Sequence, residues 1–323
     1  MNHGGAGIRY EMETAAPGLE PGAVVAVVVN PTARRWRPAH EALVRELLSR
    51  DFAPRIVRTA GRAETRRVAR TQALEGARAV IVAGGDGTVN TAVNGLRGLA
   101  TPIGLLPLGT ANDLARALEL PLAPAAAARR LHDGRIRAID LPEVNGERFV
   151  TVGGVGLAAD VALAVNRLRR RRGLARIARP LGTALYALAA AACIARGPRR
   201  DRLRLTYVDA AGRPRVWEDA VATLLVGNQG SLGGMALPTG AVDDDGLVEV
   251  LAVPAAPRGR LLRTLVALWR GRMPERDMLA VHRARTLRID CPVPGWFFGD
   301  GEALAYGRRF TVETHPRALA VIC

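Results

Sequence analysis

The sequence predicts an α/β protein in which a doubly wound parallel α/β domain precedes a mostly β domain. Apolar runs of strand length alternate with helical patterns up to about residue 138, and short β-like stretches dominate beyond it. Repeated alternation of strand and helix is the pattern of a parallel sheet with helices on both faces. The length of 323 residues is enough for two domains with cores of their own.

The first domain is predicted element by element from its hydrophobic pattern. "AVVAVVVNP" at 23–31 has the length and unbroken apolar character of a strand that is buried on both faces. The same reasoning predicts strands at 54–59, 77–85 and 102–109, and helices at 38–50, 64–74, 88–96 and from Asn112 onward. Together they indicate at least four parallel strands with intervening helices.

The second domain is predicted from short β-like stretches at 202–208, 221–227, 247–253, 286–291 and 309–314, with helical regions at 158–196 and 258–270. We therefore expect a lead without structure at 1–21, a first domain at 22–138 and a β-rich second domain at 139–308. The terminal strand, 309–323, either completes the second domain or returns to the first.

Composition excludes several classes of protein. All the basic residues are arginines, so a phosphate-binding P-loop with its lysine is excluded. Three widely spaced cysteines argue against a disulfide framework and favour a cytoplasmic setting. No stretch has the roughly 18 apolar residues of a membrane span, and we expect "PLGTALYALAAAACIA" at 180–195 to be a buried helix.

Two glycine-containing loops follow neighbouring predicted strands. They are Gly84-Gly85-Asp86-Gly87-Thr88 and Leu108-Gly109-Thr110-Ala111-Asn112-Asp113. Ligands of open α/β sheets bind at the carboxyl ends of strands, and glycines followed by a helix N-terminus let the backbone approach a polyphosphate. Asp86 suits such a site if Mg²⁺ lies between it and the phosphates. The alternative is two tight turns, with Thr110 and Asn112 as helix caps.

The second loop makes a family resemblance specific. "GGDGT" occurs in several kinase groups, including NAD kinases and phosphofructokinases, but "LPLGTANDLAR" (106–116) resembles a signature of the diacylglycerol kinase-like lipid kinases. That soluble family includes bacterial diacylglycerol kinases, sphingosine kinases and ceramide kinases. "VVVNP" (27–31), "VGNQGSLGGMALPTGAVDDDGLVEV" (226–250) and "GDGE" (299–302) resemble further family segments, in family order. The resemblance implies an active site in the cleft between the two domains.

The resemblance also implies roles for individual residues. Glu302 matches the proton acceptor, and Asp86 and Asp113 match the Mg²⁺ and water network around the phosphates. Asp245, with the carbonyls of Val242 and Leu247, matches a second, structural Mg²⁺ site, although "VDDDG" is also ordinary turn chemistry. The nucleotide site would contain Asn30, Thr59, Gly84, Gly85, Asp86, Gly87, Thr88, Asn90, Gly109, Thr110 and Asn112.

The function that the resemblance implies is ATP- and Mg²⁺-dependent phosphorylation of a membrane-lipid hydroxyl, with a diacylglycerol-type acceptor preferred. The residue types suit it, because phosphoryl transfer depends on positioning and charge neutralisation, and a carboxylate assists a weakly nucleophilic alcohol. Two alternatives stay open: NAD kinase-like phosphorylation of a soluble nucleotide, and a catalytically weak nucleotide-binding regulator. The net charge of +16 would also suit nucleic acid, but no nucleic-acid motif occurs, so none is expected as a partner.

The arginine run from Arg167 to Arg179 is the densest charge in the chain. It is either a solvated helix end or a peripheral docking site for anionic lipid. "PVPGWFF" (292–298) is either an exposed aromatic lip near Glu302 or part of the β core. We expect a cytoplasmic protein that associates peripherally with the membrane, and the sequence leaves a homodimer open.

Overall fold

The computed structural model describes residues 19–33, 35–170, 184–198, 201–229, 231–232, 235–236, 242–270 and 280–323. The first part of the chain alternates strands and helices as the sequence predicts. Its elements are β1 (Val24–Val29), α1 (Pro38–Leu48), β2 (Ala53–Arg58), α2 (Arg62–Leu74), β3 (Ala79–Gly84), α3 (Asp86–Gly95), β4 (Ile103–Pro107), α4 (Asp113–Ala117) and α5 (Pro124–Asp133).

Strands β1 to β4 pair in parallel in the order β2-β1-β3-β4. Every residue of β3 is buried, because helices cover both faces of the sheet. Alternate residues of β1 serve two cores: Val28 packs on the side of α2 and α3, and Val27 on the side of α1 and α5. The unbroken apolar runs in the sequence therefore reflect burial on two faces.

The second part is mostly antiparallel. Its elements are β5 (Ile136–Val144), β6 (Glu147–Arg148), β7 (Val152–Gly156), α6 (Leu157–Arg170), α7 (Ala184–Arg196), β8 (Asp201–Asp209), β9 (Pro214–Gly227), β10 (Ser231–Leu232), β11 (Met235–Ala236), β12 (Val248–Pro254), α8 (Arg258–Trp269), β13 (Ala280–Gly299) and β14 (Glu302–Ile322). Strands β7, β9, β12 and β13 pair with one another in antiparallel fashion and surround a core that contains Phe297 and Phe310.

Strand β14 connects the two parts of the sheet. It pairs antiparallel with β13 and β5, and near its end Val321 pairs in parallel with Ile103 of β4. Leu319 and Val321 pack in the same core as residues of β1, β3 and β4. The terminal strand thus pairs with strands of the second domain and also reaches the first.

Some local features differ from the sequence-based expectations. The helical region 158–196 contains α6 and α7, and its middle lies outside the described residues. Helix α5 and strands β5, β6 and β7 were not predicted. Within 292–298 both alternatives hold in part, since Phe297 and Phe298 are buried while Val293 and Trp296 are exposed. Within the part of the chain that the structure describes, the helices are all too short or too polar for a membrane span.

Candidate active site

The two glycine loops meet at the carboxyl ends of β3 and β4. A Cβ atom on Gly85 would lie 2.8 Å from the Cα of Gly109, so neither position has room for a side chain. The backbone also connects the loops, because the N–H of Leu108 donates to the carbonyl of Gly84 at 2.8 Å. The glycines are therefore required for contact between the loops as well as for any close approach of a ligand.

Asp86 lies between these loops at the first residue of α3. Its two carboxylate oxygens accept hydrogen bonds from the backbone N–H groups of Asn112 at 2.9 Å and Asp113 at 2.7 Å. Burial and the carboxylates of Asp113 and Asp300 raise the pKa of Asp86 to about 7, although the two backbone hydrogen bonds favour its charged form. Asp86 thus lies in a concentration of negative charge that a cation would neutralise.

Asn112 shapes the second loop. Its backbone has a φ of 53°, in the left-handed region that Asn tolerates better than most residues. Its side-chain oxygen accepts a hydrogen bond from the N–H of Gly109 at 2.8 Å and so closes the loop on itself. Asn112 therefore directs its N–H toward Asp86, while its side chain points to the loop backbone.

Asn30, which directly follows strand β1, also belongs to the site. Its side-chain nitrogen donates to the hydroxyl of Thr88 at 3.0 Å, and its oxygen accepts from the backbone N–H of Thr32 at 3.0 Å. Thr59 is buried, and its hydroxyl is 2.8 Å from that of Thr65, which is one of the threonines that line the cleft.

Asp300 is a site residue that sequence reasoning missed. Its carboxylate accepts four hydrogen bonds of 2.7 to 2.8 Å: two from Thr151, one from the N–H of Val150 and one from the side chain of Asn90. Burial raises the pKa of Asp300, and these hydrogen bonds oppose the shift. The sequence signal for Asp300 is the Asp-Gly of "GDGE", directly before Glu302.

Asn90 does not line the cleft, so it is not placed to contact a nucleotide directly. It is fully buried, and its side-chain nitrogen donates to the carbonyl of Arg148 and to Asp300, both at 2.8 Å. Asn94, one turn later, accepts from the N–H of Arg148 and donates to its carbonyl. The side-chain amides of Asn90 and Asn94 therefore join helix α3 to the start of the second domain, next to Asp300.

Glu302 approaches the first glycine loop from the opposite side of the cleft. A Cβ on Gly87 would lie 3.1 Å from Oε1 of Glu302, and Oε2 accepts a hydrogen bond from Arg62 at 3.0 Å. Arg62 is the first residue of α2, so this ion pair joins residues 240 positions apart in the chain.

These residues surround a polar cleft of about 550 Å³. Of the predicted site residues, the cleft is lined by Asn30, Gly85, Asp86, Gly87, Thr88, Gly109, Thr110 and Glu302. Four further predicted residues lie behind the lining of the cleft: Thr59, Gly84, Asn90 and Asn112. Asp113 lines a neighbouring cavity. The structure adds Thr32, Arg62, Asn166, Arg169, Tyr186 and Asp300, among others, to the lining.

The neighbouring cavity is apolar. It has a volume of about 170 Å³ and lies among α6, α7, α8 and the sheet. Its lining includes Val161, Ile194, Leu251, Leu261 and Phe298. Asp86, Ala111, Tyr186, Asp300 and Gly301 line both this cavity and the polar cleft, so the carboxylates stand at the junction of a polar and an apolar space.

Tyr186 occupies that junction. Arg169 stacks over its ring at 5.3 Å from the centroid and donates to its hydroxyl at 3.4 Å. Burial raises the pKa of Tyr186, so its hydroxyl stays protonated near neutral pH. Asn166 donates to the carbonyl of Gly301 at 2.8 Å, which fixes the turn between Asp300 and Glu302 against α6.

The turn that contains Asp245 is outside both cavities. Its carboxylate pairs with Arg283 and accepts a hydrogen bond from the N–H of Leu247 at 3.0 Å, while Val242 is exposed. Across the described residues, no three or more His, Cys, Asp or Glu side chains are grouped so as to hold a metal ion. The second Mg²⁺ site at Val242, Asp245 and Leu247 stays a prediction.

Comparison with known proteins gives matches along nearly the whole chain. Residues 24–144 match the family described as the diacylglycerol kinase catalytic domain. Residues 151–323 match the family described as the YegS C-terminal NAD kinase beta sandwich-like domain. The first matched region contains the parallel strands and also β5, and the second contains most of the antiparallel part.

Individual relatives agree with these matches. The diacylglycerol kinase of Mycobacterium tuberculosis is 32% identical over 229 residues, which are 68% of this chain and 68% of the relative. A Pseudomonas aeruginosa protein named "Probable lipid kinase YegS-like" is 32% identical over 282 residues, 84% of each chain. A crystal structure of a diacylglycerol kinase from Bacillus anthracis superposes with a TM-score of 0.70 over 94% of this chain and 97% of that one. The sequence identity between the two chains is 19%, so this likeness shows the fold alone. It confirms the predicted fold class.

Proposed function

The chain belongs to the diacylglycerol kinase-like lipid kinases, and from that premise we propose that it transfers the γ-phosphoryl group of ATP, with Mg²⁺, to a lipid hydroxyl. A diacylglycerol-type alcohol is the preferred acceptor. The observation that carries the lipid acceptor is the apolar cavity, which opens onto the carboxylates of the polar cleft. A soluble nucleotide acceptor would gain nothing from such a lining, whereas acyl chains would be removed from water there.

The polar cleft is suited to the phosphates of ATP. The glycine loops expose backbone at the N-terminus of α3, where N–H groups and the helix dipole favour an anion. Thr88 and Thr110 line the same space, and Asn30 holds the hydroxyl of Thr88 in place. The side chain of Arg62 adds a positive charge at the rim.

The carboxylates fit Mg²⁺. Mg²⁺ usually keeps several water molecules and takes one or two protein carboxylates together with substrate phosphates, so it does not need a closed cluster of ligands. Asp86 would hold the ion, with Asp113 in the water network around it. The repulsion between these two carboxylates contributes to the raised pKa of Asp86, and a cation would relieve it. When bound, Mg²⁺ would neutralise charge on the transferring phosphoryl group.

Glu302 is proposed to accept the proton of the lipid hydroxyl. Its carboxylate lies beside Gly87 of the phosphate loop and faces the same cleft as Asp86 and Asp300. The ion pair with Arg62 holds the carboxylate of Glu302 at the rim of the cleft, and a carboxylate is a group that can take up a proton from an alcohol. Tyr186 and Asn166 would fix the approach of the acceptor, since they line the cleft beside Glu302.

The lipid is expected to be met at a membrane surface, where the protein would attach peripherally. The run Arg167–Arg179 is one proposed contact with anionic lipid. Of this run, Arg167, Arg169 and Arg170 end α6, and the residues from 171 onward lie outside the described residues. Arg169 stacks on Tyr186 inside the cleft, so its first role is at the active site.

The test is phosphoryl transfer from γ-labelled ATP by the purified protein, with Mg²⁺ and separate acceptors: diacylglycerol, sphingoid base, ceramide, phosphatidylglycerol and NAD. We expect label in diacylglycerol above the other acceptors, and none with Asp86→Ala. Label in NAD alone would establish the soluble-nucleotide alternative. Label in none of the acceptors would contradict the proposed activity.

A further inference from the structure

Helices α7 and α8 pack against each other and have two distinct faces. Their inner faces line the apolar cavity through Ala187, Ala190 and Ile194 of α7 and Leu261, Thr264 and Leu265 of α8. Ile194 and Leu261 share a small core, which holds the helices together. The pair of helices therefore forms the outer wall of the cavity in which the proposed function places acyl chains.

The outer faces of the same helices expose large apolar side chains. The exposed fractions are 57% for Leu188 of α7, and 36% and 42% for Leu262 and Val266 of α8. Leu262 and Val266 are four residues apart, so they lie side by side on one face of α8. Exposed apolar residues that stand alone need no explanation, but here three lie on the helices that wall one cavity.

The charged residues of the two helices themselves have a single sign. Neither 184–196 nor 255–270 contains an aspartate or glutamate, and their charged residues are all arginines. Arg196, Arg258, Arg263 and Arg270 are exposed. Arg258 lies near the end of α7, because its guanidinium is 3.2 Å from where a Cβ on Gly197 would be. Exposed apolar side chains among arginines are complementary to an anionic lipid surface.

We propose that the α7–α8 surface, formed by Leu188, Leu262, Val266, Arg263 and Arg270, docks on an anionic bilayer and places the wall of the apolar cavity against the membrane. Leucine and valine side chains enter the acyl boundary while the arginines contact lipid phosphates. This inference rests on the proposed function, since it identifies the face through which that function receives its lipid. In addition to the arginine run, this surface offers the membrane an apolar contact, and its residues all lie in the part of the chain that the structure describes.

The experiment measures binding to vesicles without ATP. Vesicles of phosphatidylcholine with phosphatidylglycerol are compared with vesicles of phosphatidylcholine alone by co-sedimentation. Wild-type protein should bind the anionic vesicles, and Leu262→Gln with Val266→Gln should lower the partition coefficient by about tenfold or more. Arg263→Gln with Arg270→Gln should lower it by a similar factor and weaken its salt dependence. Glutamine keeps the helix propensity of α8 high, so the fold should persist.

Matched controls use exposed residues elsewhere. Leu74 on α2 and Val216 on β9 are exposed, and Leu74→Gln with Val216→Gln removes the same two side-chain types. Arg78→Gln with Arg129→Gln removes two exposed arginines from the first domain. Both control pairs should bind vesicles like wild type.

Three outcomes would overturn the inference. The first is equal vesicle binding by the Leu262/Val266 variant and wild type, and the second is an equal loss of binding in the control pairs. The third is that the Leu262/Val266 substitutions dissociate a dimer into monomers, which would identify the surface as a contact between two copies. Phosphorylation of a short-chain, water-soluble diacylglycerol separates the two proposals. If the docking alone is wrong, this activity is present without the vesicle effect. If the proposed function is wrong, the activity is absent whatever the vesicles show.

Discussion

The central residues of the site are carboxylates that differ in how the protein holds them. Asp300 accepts four hydrogen bonds from Asn90, Val150 and Thr151, which anchor it firmly at the base of the cleft. Asp86 accepts two, and Glu302 has one ion pair at the rim. Glu302, which has the fewest of these contacts, is the residue proposed to accept a proton. Asp300, which has the most, contributes to the raised pKa of Asp86.

Glu302→Gln should separate binding from transfer. Gln keeps the size of the side chain but cannot accept a proton, so kcat should fall by roughly 10²–10⁴-fold. The affinity for ATP should change by less than about threefold, because the glycine loops supply the phosphate contacts. Steady-state kinetics and calorimetry measure the two quantities. Glu313→Gln, on the exposed side of β14, is the matched control. An unchanged kcat would show that the base is another group.

The raised pKa of Asp86 predicts pH-dependent binding of Mg²⁺-nucleotide. The carboxylate must lose its proton to hold a cation, so affinity should be about tenfold weaker at pH 6 than at pH 8. In the metal-free protein this group stabilises the fold below its ordinary pKa of 3.8, and that contribution is lost as the pH rises through about 7. Calorimetry, corrected for protonation of the nucleotide, measures the binding. Equal affinity at pH 6 and 8 would contradict the assignment.

At the scale of elements, the site depends on two loops that follow adjacent parallel strands. The sequence predicts this arrangement well, because strand, glycine loop and helix are contiguous and their order fixes where the carboxyl ends lie. It does not predict the contact between Gly85 and Gly109, since glycine in a loop is compatible with many geometries. The helix α5 was not predicted, although its buried residues Ala127, Ala128 and Leu131 have helical spacing.

Gly109→Ala tests the contact between the loops. Its new methyl group would collide with the backbone of Gly85, so the loops must separate and the N–H groups that hold Asp86 must shift. We expect affinity for ATP to fall by about tenfold or more while the chain stays folded. Gly259→Ala on α8 is the control, because a Cβ there meets nothing within 4 Å. Fluorescence titration with a nucleotide analogue and thermal unfolding together report the two effects. Wild-type affinity in Gly109→Ala would argue against a shared phosphate site.

At the scale of the whole molecule, the active site is assembled by chain segments that are distant in sequence. Arg62 and Glu302 are 240 residues apart, and Asn90 and Asp300 are 210 apart. Strand β14 makes this possible, since it begins at Glu302 beside the cleft and ends against β4 of the first domain. Local pattern carries no information on such pairs, so Glu302 was found only through a family motif, and Arg62 and Tyr186 were not found at all.

The apolar cavity is the other feature that sequence could not reveal. Its walls come from α6, α7, α8 and three strands, and each contributes ordinary core residues. What distinguishes it is its position, because Asp86, Asp300 and Tyr186 lie on the boundary with the polar cleft. We propose that these two spaces form one active site, with phosphates on one side and acyl chains on the other.

Filling the apolar cavity tests whether the cavity and the polar cleft act as one site. Ala187 lines the cavity from α7 and is only partly buried, so Ala187→Phe can fill the space without disrupting the core. Ala192→Phe, on the exposed side of the same helix, is the matched control. The measurement is the rate of diacylglycerol phosphorylation beside the affinity for ATP. We expect a loss of about tenfold or more in rate, with unchanged ATP affinity, in Ala187→Phe alone. Wild-type rates in that variant would contradict it.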